Sequence, residues 1–541
     1  MTSPAAQRPR NSYLADCLFL LAIVFLTAAP NVAHLGFYSD DWSNLETFRT
    51  CPSQTMLGLF GCAKENYRLV QSFQSAALYR FFGLNPVGYH VVNSIVFACL
   101  ILLVYAVLRE LSQPRVVSLA VPLIYSLLPH YSTDRFWIAA FQAPNLCMVL
   151  YLLGVFSLSR ACPPGGWRPL WAAFSAFALA LSGLAYEAAI PLFVLVPFVI
   201  WRRIKPRQRP YLLLATILLS MGAVAFKLLT QTRYRFQGRF LSHPAMVVRH
   251  FVAQLLDFNY GYYGFGLPRV AWRAVANYPR VAGLGSGVLL GILVFSYLFH
   301  VLRQPSTEWP SRPTWARVAI AGVLVFVLGY SPFIAMVTLD MTTTGPANRV
   351  AIAAALGTAM SLAAIIGLVT GLIPFSEWRT GLFCACISVL CVSGLLVLNV
   401  ISSYWMEAYR MQQNIIATVA KEFPALPDNT TLILDGVCPY FGPGIVFEGS
   451  WDTEGMLRIL YRNETIHGDV VTPKLDVRAD GLHTFLYSFE TRYPYNDSLI
   501  VYDLQKNTKT RLSDFQTARL YFSGWSSGCP PGREGDDSPI F

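Results

Sequence analysis

Long apolar stretches recur along most of this chain, and short polar segments separate them. Each stretch holds roughly enough residues to cross a hydrocarbon core of about 30 Å as a helix. The first stretch lacks the small-residue cleavage site of a signal peptide, so we expect it to be retained as a helix. The pattern predicts about eleven spans, near residues 14–35, 88–108, 116–129, 143–159, 169–185, 187–201, 210–230, 281–302, 317–338, 349–373 and 381–402.

The pattern changes after residue 403, where long apolar runs stop. Trp405–Phe423 predicts a helix, and the segments TLILDGV, SLIVYDL and ARLYF predict short strands between turns rich in Gly, Pro, Asn and Asp. We therefore expect a transmembrane domain over residues 1–403 and a small α/β domain over residues 404–541. The predicted fold class is an α-helical polytopic membrane protein with a small C-terminal α/β domain.

Composition supports a membrane protein. Of 541 residues, 54% are hydrophobic and only 13% are charged, and the mean hydropathy is +0.45. A soluble domain of this size needs more charge to cover its surface. The net charge of +11 would suggest nucleic-acid binding in a soluble protein, but in a membrane protein basic residues collect in cytoplasmic loops. We expect no nucleic-acid partner.

Basic residues also predict the orientation of the spans. With Arg8 and Arg10, the basic connections place the N-terminus in the cytoplasm by the positive-inside rule. An odd number of spans then places the C-terminal domain outside the cytoplasm. The basic connections are Arg109–Arg115, Arg160–Arg168, Arg202–Arg209 and Arg303–Arg317.

Cysteine positions agree with this orientation. Four of the eleven cysteines lie outside the predicted spans on the exported side. Cys51 and Cys62 share the first loop, and Cys438 and Cys529 lie in the C-terminal domain. In an oxidising compartment such pairs predict two disulfides, and free thiols are the alternative.

Ionisable residues gather at the predicted outer ends of the spans. Charged groups near hydrocarbon are costly, so they usually pair with one another or serve a site. Their concentration on one face predicts a polar cavity open to the exported side. The residues are Asp40, Asp41, Arg68, His90, Asn93, Asp134, Glu187, Lys227 and Arg349.

These residues differ in what their surroundings suggest. Asp40 and Asp41 follow the first span directly, between aromatic residues, which favours a catalytic or substrate-contacting role. Glu187 either pairs with Lys227 or an arginine, or contacts the substrate. His90 is expected to be a structural hydrogen-bonding group, because no His, Cys or carboxylate spacing is typical of a metal site.

The segment Tyr67–Phe82 is too polar to span the membrane. One helical face is polar, with Arg68, Gln71, Ser72 and Ser75, and the opposite face is apolar, with Leu69, Phe73 and Ala77. This pattern predicts an amphipathic helix on the outer membrane surface.

Several motifs resemble those of a known superfamily. FYSDDW after the first span, NYRLV, and GLNPVGYHVVNSIVFACL resemble in order and spacing the opening of C-type glycosyltransferases, above all the transmembrane O-mannosyltransferases and their bacterial relatives. LLPHYSTDRFWIAA resembles their second outer loop, AYEAAIP a position where lysine precedes glutamate, and PANRV a later arginine position. The likeness covers about the first 200 residues. Leu69, Phe97 and Tyr186 depart from it, replacing a proline, a histidine and that lysine.

The resemblance implies an enzyme that moves a hexosyl or pentosyl group from a polyprenyl-phosphate donor to a hydroxyl of an extracytoplasmic glycan, lipid or protein. It also implies that the protein lies in a bacterial inner membrane and that its C-terminal domain is periplasmic. Asp40 or Asp41 would be the general base of an inverting displacement. No cofactor or metal is expected to be essential, because phosphate departs as a stable anion. The substrate-binding or phosphate-binding residues would be Arg68, His90, Asp134, Glu187, Lys227 and Arg349.

Two other functions use similar residues. A transporter or flippase of a lipid-linked or anionic substrate would also need an arginine-lined cavity, but internal inverted repeats are not evident. A non-catalytic scaffold with an exterior sensing domain leaves the gathered charges without a role. The sequence does not identify the sugar, the acceptor or the oligomeric state.

Overall fold

The computed structural model describes residues 10–63, 67–163, 168–230, 244–305, 307–334, 344–486 and 489–529. Arg8 and the end of the predicted span 317–338 lie outside these ranges. The α-helices are α1 Arg10–Val32, α2 Asp40–Thr50, α3 Met56–Cys62, α4 Leu69–Phe82, α5 Pro86–Glu110, α6 Arg115–Leu127, α7 Thr133–Phe136, α8 Ala139–Ala161, α9 Pro169–Ala185, α10 Val196–Ile200, α11 Arg209–Thr230, α12 Pro244–Ala253, α13 Leu267–Asn277, α14 Leu284–Arg303, α15 Arg312–Ile334, α16 Ile352–Thr370, α17 Ser376–Glu422, α18 Ser450–Tyr461 and α19 Phe515–Phe522. Short 3₁₀ helices cover Pro129–Tyr131, Ile190–Leu195, Pro206–Gln208 and Pro346–Ala351, and a π-helix covers Gln254–Phe265.

Apolar helices make up the membrane domain. Eight helices of the described chain are long and apolar enough to cross a membrane, and they contain α1, α5, α8, α11, α14, α15, α16 and α17. Three shorter apolar segments, Arg115–Leu127, Pro169–Ala185 and Ile190–Ile200, coincide with the other three predicted spans. Large side chains such as Phe25 and Leu229 are exposed on the outer surface of the bundle, as lipid-facing residues are. The predicted fold class is confirmed, and the sidedness of the membrane domain stays a prediction.

The last membrane helix continues into the C-terminal domain. Helix α17 has 47 residues, about 70 Å at 1.5 Å per residue, which is more than twice the thickness of a hydrocarbon core. The segment Trp405–Phe423, predicted as a separate helix, is the far half of α17 up to Glu422. Gln412 in this half is buried and donates a hydrogen bond to the carbonyl of Val446 at 2.6 Å. The predicted domain boundary at residue 403 therefore lies inside a continuous helix.

The C-terminal domain is built around a mixed sheet in the order β4-β1-β8-β9. Strand β1 is parallel to both β4 and β8, and β9 is an antiparallel edge strand. Strands β5, β6 and β7 form a second, antiparallel sheet, and β2 pairs with β3. The strands are β1 Thr431–Asp435, β2 Tyr440–Phe441, β3 Gly444–Ile445, β4 His467–Val470, β5 Asp476–Arg478, β6 Gly481–Leu486, β7 Phe489–Tyr493, β8 Leu499–Asp503 and β9 Thr508–Arg511. The predicted α/β class and the strands from TLILDGV and SLIVYDL are confirmed.

The third predicted strand is wrong. Residues 518–522, ARLYF, belong to helix α19. Asp514 caps this helix, because its side chain accepts a hydrogen bond from the backbone N–H of Thr517 at 2.8 Å. Ala518 is buried while Leu520 is exposed, so burial does not follow the alternation of a strand. The cap precedes the apolar run and determines the local structure.

Both predicted disulfides are present. Cys51 bonds to Cys62, with Cα atoms 6.0 Å apart, and Cys438 bonds to Cys529, with Cα atoms 5.6 Å apart. The first closes a short loop after α2. The second connects the segment after β1 with the end of the described chain. The alternative of free thiols is excluded for these four residues.

Helix α4 is amphipathic as predicted, and its polar face is turned into the protein. Gln71, Ser72 and Ser75 are buried, whereas Phe73 and Phe81 are exposed. An exposed aromatic face suits contact with the acyl region at a membrane surface. The helix therefore covers the polar interior of the domain with one face.

Candidate functional site

The acidic pair lies at the start of α2, directly after the first membrane helix. Asp40 is the first residue of α2 and is half-buried, whereas Asp41 is fully buried. One carboxylate oxygen of Asp41, Oδ2, accepts a hydrogen bond from the backbone N–H of Tyr38 at 2.9 Å, and Oδ1 accepts none within the described chain. Two adjacent carboxylates thus differ in their access to a ligand.

Burial and charge distinguish the two acids further. Burial raises the pKa of the Asp41 carboxyl well above its usual value, and the neighbouring Asp40 raises it as well. The Tyr38 N–H lowers the pKa of Asp41 by stabilising its anion, but this effect is the smaller one. The buried Asp41 therefore binds a proton more tightly than a solvent-exposed aspartate does.

Arg349 lies at the start of the predicted tenth span, in the 3₁₀ turn Pro346–Ala351. Its guanidinium stands over the ring of Trp137, 4.8 Å from the ring centroid, and interacts electrostatically with Asp40 and Asp134. It forms no ion pair with a carboxylate anywhere in the described ranges. A half-buried guanidinium without an ion pair is costly unless a ligand supplies the anion.

Two asparagines hold the turn that carries Asp134 in place. Asp134 is buried in α7, and its backbone carbonyl accepts hydrogen bonds from Asn93 and Asn145 at 3.0 and 2.9 Å. Asn145 also donates to Asn93 at 2.9 Å. Burial raises the pKa of the Asp134 carboxyl well above its usual value, and Arg349 opposes this shift.

The Arg349 turn is bound to the same segment. Asn348 accepts a hydrogen bond from the backbone N–H of Thr133 at 3.0 Å and donates one to Ser132 at 2.8 Å. The indole N–H of Trp137 donates to the carbonyl of Tyr38 at 3.0 Å. Three side chains to which the sequence analysis gave no role therefore bring residues near positions 40, 134 and 349 together: Asn145, Asn348 and Trp137.

Glu187 forms the centre of a second cluster. Its carboxylate accepts two hydrogen bonds from Arg68, at 3.1 and 3.0 Å, and one from Lys227 at 3.0 Å. The Arg68 guanidinium also stands 4.5 Å from the centroid of the Tyr186 ring. The pairing predicted as one alternative for Glu187 is present. Two cations and one carboxylate leave this cluster with an excess of positive charge.

The two cations affect the pKa of the Glu187 carboxyl more than its burial does. Burial by itself would raise the pKa of the Glu187 carboxyl, but Arg68 and Lys227 together lower it to about 2. Glu187 is therefore ionised at neutral pH and holds both cations in place. Such a carboxylate is a poor general base, because it binds a proton weakly.

Arg349 links most of the predicted site residues into one neighbourhood. Arg349 interacts electrostatically with Asp40, Asp134 and Arg68, and so links the acidic pair to the Glu187 cluster. The ring of His90 bonds instead to the backbone carbonyl of Gly36 at 3.1 Å. This contact matches the structural role expected for His90. No group of three or more His, Cys, Asp or Glu side chains suited to a metal ion occurs among the described residues.

The helices and the charged neighbourhood together define a multi-pass membrane protein with a polar cluster between the ends of its helices. No family model and no curated protein matches the sequence. The chain is similar to ArnT from Cupriavidus metallidurans bound to undecaprenyl phosphate, with 13% identity over 85% of this chain and 86% of that one, and a TM-score of 0.35. It is also similar to the Archaeoglobus fulgidus oligosaccharyltransferase tethered with an acceptor peptide, with 11% identity over 79% of this chain and 62% of that one, and a TM-score of 0.35.

Proposed function

We propose that this protein is a membrane glycosyltransferase that moves a sugar from a polyprenyl phosphate to a hydroxyl of an extracytoplasmic acceptor. The observation that carries the proposal is Arg349, a guanidinium that stands over Trp137 beside Asp40 and forms no ion pair within the described chain. This arrangement supplies an anion-binding cation next to a carboxylate. Both are needed when a phosphate leaves as a hydroxyl attacks.

Arg349 is the phosphate-binding residue of the proposal. A planar guanidinium donates in parallel to two phosphate oxygens, and its position on an aromatic ring fixes its plane. The Arg68–Glu187–Lys227 cluster adds positive charge, since Glu187 neutralises only one of its two cations. Both features favour the donor phosphate and stabilise the charge that develops on it.

Asp40 is the proposed general base. It is half-buried and so within reach of an acceptor, whereas Asp41 is buried and its pKa is raised. The acceptor hydroxyl gives its proton to Asp40, and its oxygen forms a bond to the anomeric carbon. The bond from that carbon to the phosphate oxygen breaks, and the electron pair leaves with polyprenyl phosphate. A single displacement inverts the anomeric centre.

The test uses the purified full chain and a radiolabelled polyprenyl-phosphate sugar, and it scores release of free polyprenyl phosphate. Wild-type protein is expected to release it with an acceptor present. Arg349→Ala is expected to raise the apparent KM for the donor about tenfold to a hundredfold, the value of a hydrogen bond to a charged group. Arg273→Ala is the matched control, because Arg273 is exposed in α13. Movement of the intact lipid across liposomes without release would instead support a flippase and overturn the proposal.

A further inference from the structure

The C-terminal domain places a buried carboxylate against the acidic loop. Glu448 follows β3 and is only 2% exposed. Its side chain accepts a short hydrogen bond from the hydroxyl of Ser39, the residue directly before Asp40. The indole N–H of Trp451 donates to the same Ser39 oxygen at 3.1 Å. Two side chains of the C-terminal domain thus bind one residue of the loop.

Glu448 is itself held in place. The hydroxyl of Tyr440 donates a short hydrogen bond to its other carboxylate oxygen. The side chain of Asp452 accepts hydrogen bonds from the backbone N–H groups of Glu448 and Gly449, at 2.8 and 3.1 Å. The carboxylate therefore has a fixed position at the start of α18.

Ser39 needs such support because of its backbone. Its φ is 45° and its ψ is −120°, a conformation that residues other than glycine rarely adopt. A strained residue of this kind persists only where neighbouring groups fix it. The hydroxyl of Ser39 is held by Glu448 and Trp451, so two side chains of the C-terminal domain support the residue directly before α2.

The contact is part of a wider docking surface between α18 and α2. A Cβ atom on Gly455 would lie 2.7 Å from the backbone carbonyl carbon of Trp42, so the two helices meet at a distance that only glycine allows. Arg458 forms an ion pair with Glu46 at 3.5 Å. The domain is therefore seated on α2 at several points, and Glu448 lies at the end nearest the acidic pair.

We propose that Glu448 is a positioning residue for the transfer reaction: through Ser39 it holds the loop that carries the general base. This inference rests on the proposed function. It gives the C-terminal domain a part in the site itself. The donor phosphate is held by other residues, so loss of Glu448 lowers kcat and leaves the donor KM unchanged.

The experiment is a double-mutant cycle with Ser39→Ala and Glu448→Gln. Each single variant is expected to lower kcat about tenfold, the order of loss that a small misplacement of a reacting group causes. If Glu448 acts through Ser39, the double variant is also about tenfold slower, because the second change removes nothing further. A double variant about a hundredfold slower, the product of two independent losses, overturns the inference.

Asp435→Asn is the matched control. Asp435 is another buried carboxylate of the C-terminal domain that accepts from a tyrosine hydroxyl and an indole, Tyr521 and Trp525, at 2.8 and 2.9 Å. It does not contact the loop, so its variant is expected to keep kcat. Hydrogen exchange of a peptide over residues 37–42 gives a second readout. Exchange is expected to accelerate in Glu448→Gln and to stay unchanged in Asp435→Asn.

The outcomes separate the two proposals. A wild-type protein that releases no polyprenyl phosphate refutes the proposed function and this role of Glu448 with it. A wild-type protein that transfers sugar, with Glu448→Gln at full kcat and with unchanged loop exchange, overturns the positioning role alone. Loss of kcat in Asp435→Asn to the same extent would show general damage to the domain, and it too overturns the role.

Discussion

Replacing Asp40 with asparagine tests the proposed chemistry most directly. Asparagine has nearly the same size, and the backbone carbonyl of Asp40, which accepts hydrogen bonds from Ser43 and Asn44 at 3.1 and 2.9 Å, is unchanged. The substitution therefore keeps the start of α2 and removes the basic group. General bases contribute about 10²-fold to 10⁴-fold to a rate, so the barrier should rise by about 3–5 kcal/mol.

Asp41→Asn is the matched control on the adjacent residue. Asp41 is fully buried, and asparagine keeps nearly its size and shape. The amide oxygen of asparagine accepts from the Tyr38 N–H as the carboxylate does. The loss is then limited to the net value of a neutral hydrogen bond, about tenfold or less in rate.

The assay is single-turnover release of polyprenyl phosphate by purified wild type and both variants, with insertion and melting temperature measured in parallel. Asp40→Asn should be the slower variant by at least about tenfold. Equal rates for wild type and Asp40→Asn would refute a base at this position. A loss confined to Asp41→Asn would assign the base to the buried residue and contradict the argument from accessibility.

Three further perturbations test other parts of the structure. Arg349→Lys should keep the positive charge and lose the planar guanidinium, so it should raise the donor KM less than Arg349→Ala does. Competition by free polyprenyl phosphate measures the affinity of each variant for the phosphate. The pKa of Glu187 is lowered to about 2 in the folded protein, against an ordinary value of 4.5. Its ionised carboxylate therefore contributes stability above about pH 4.5, and this contribution is lost as the pH falls towards 2. The melting temperature of the wild type should fall across this range, and that of Glu187→Gln should change less. Removing the Cys51–Cys62 disulfide should lower the free energy of unfolding by about 3 kcal/mol, and removing Cys438–Cys529 should lower it by about 4.6 kcal/mol, because the second disulfide closes a loop of 91 residues and the first a loop of 11. Denaturant unfolding measures both losses. A larger loss from the first disulfide would contradict the loop-entropy account.

Much of the membrane domain could be predicted from local sequence. The apolar runs identified all eleven long or short apolar helices found among the described residues. Cysteine positions predicted both disulfides. The secondary structure of residues 518–522 was predicted wrongly. Their apolar run suggested a strand, but Asp514 caps a helix there. The reason is that hydrophobic periodicity in a run of five residues is too short to distinguish the two.

The site residues stay a prediction, and the sequence left their pairings open. The order of motifs identified Asp40, Arg68 and Arg349 as candidates, and their roles remain predictions. The sequence left two alternatives for Glu187, and only the structure shows that its carboxylate binds both Arg68 and Lys227. Pairing depends on distances across the bundle, which the spacing along a chain does not fix.

The sequence by itself determined which segments are apolar, that a mixed α/β domain follows the spans, and which ionisable residues lie at the predicted ends of the spans. Tertiary structure alone decided that Asp41 is buried while Asp40 is half-exposed, and that Glu448, 409 residues from Ser39 along the chain, is bonded to it. The physical reason is that burial and hydrogen bonding depend on what surrounds a side chain in space, whereas hydropathy belongs to the residue and its near neighbours.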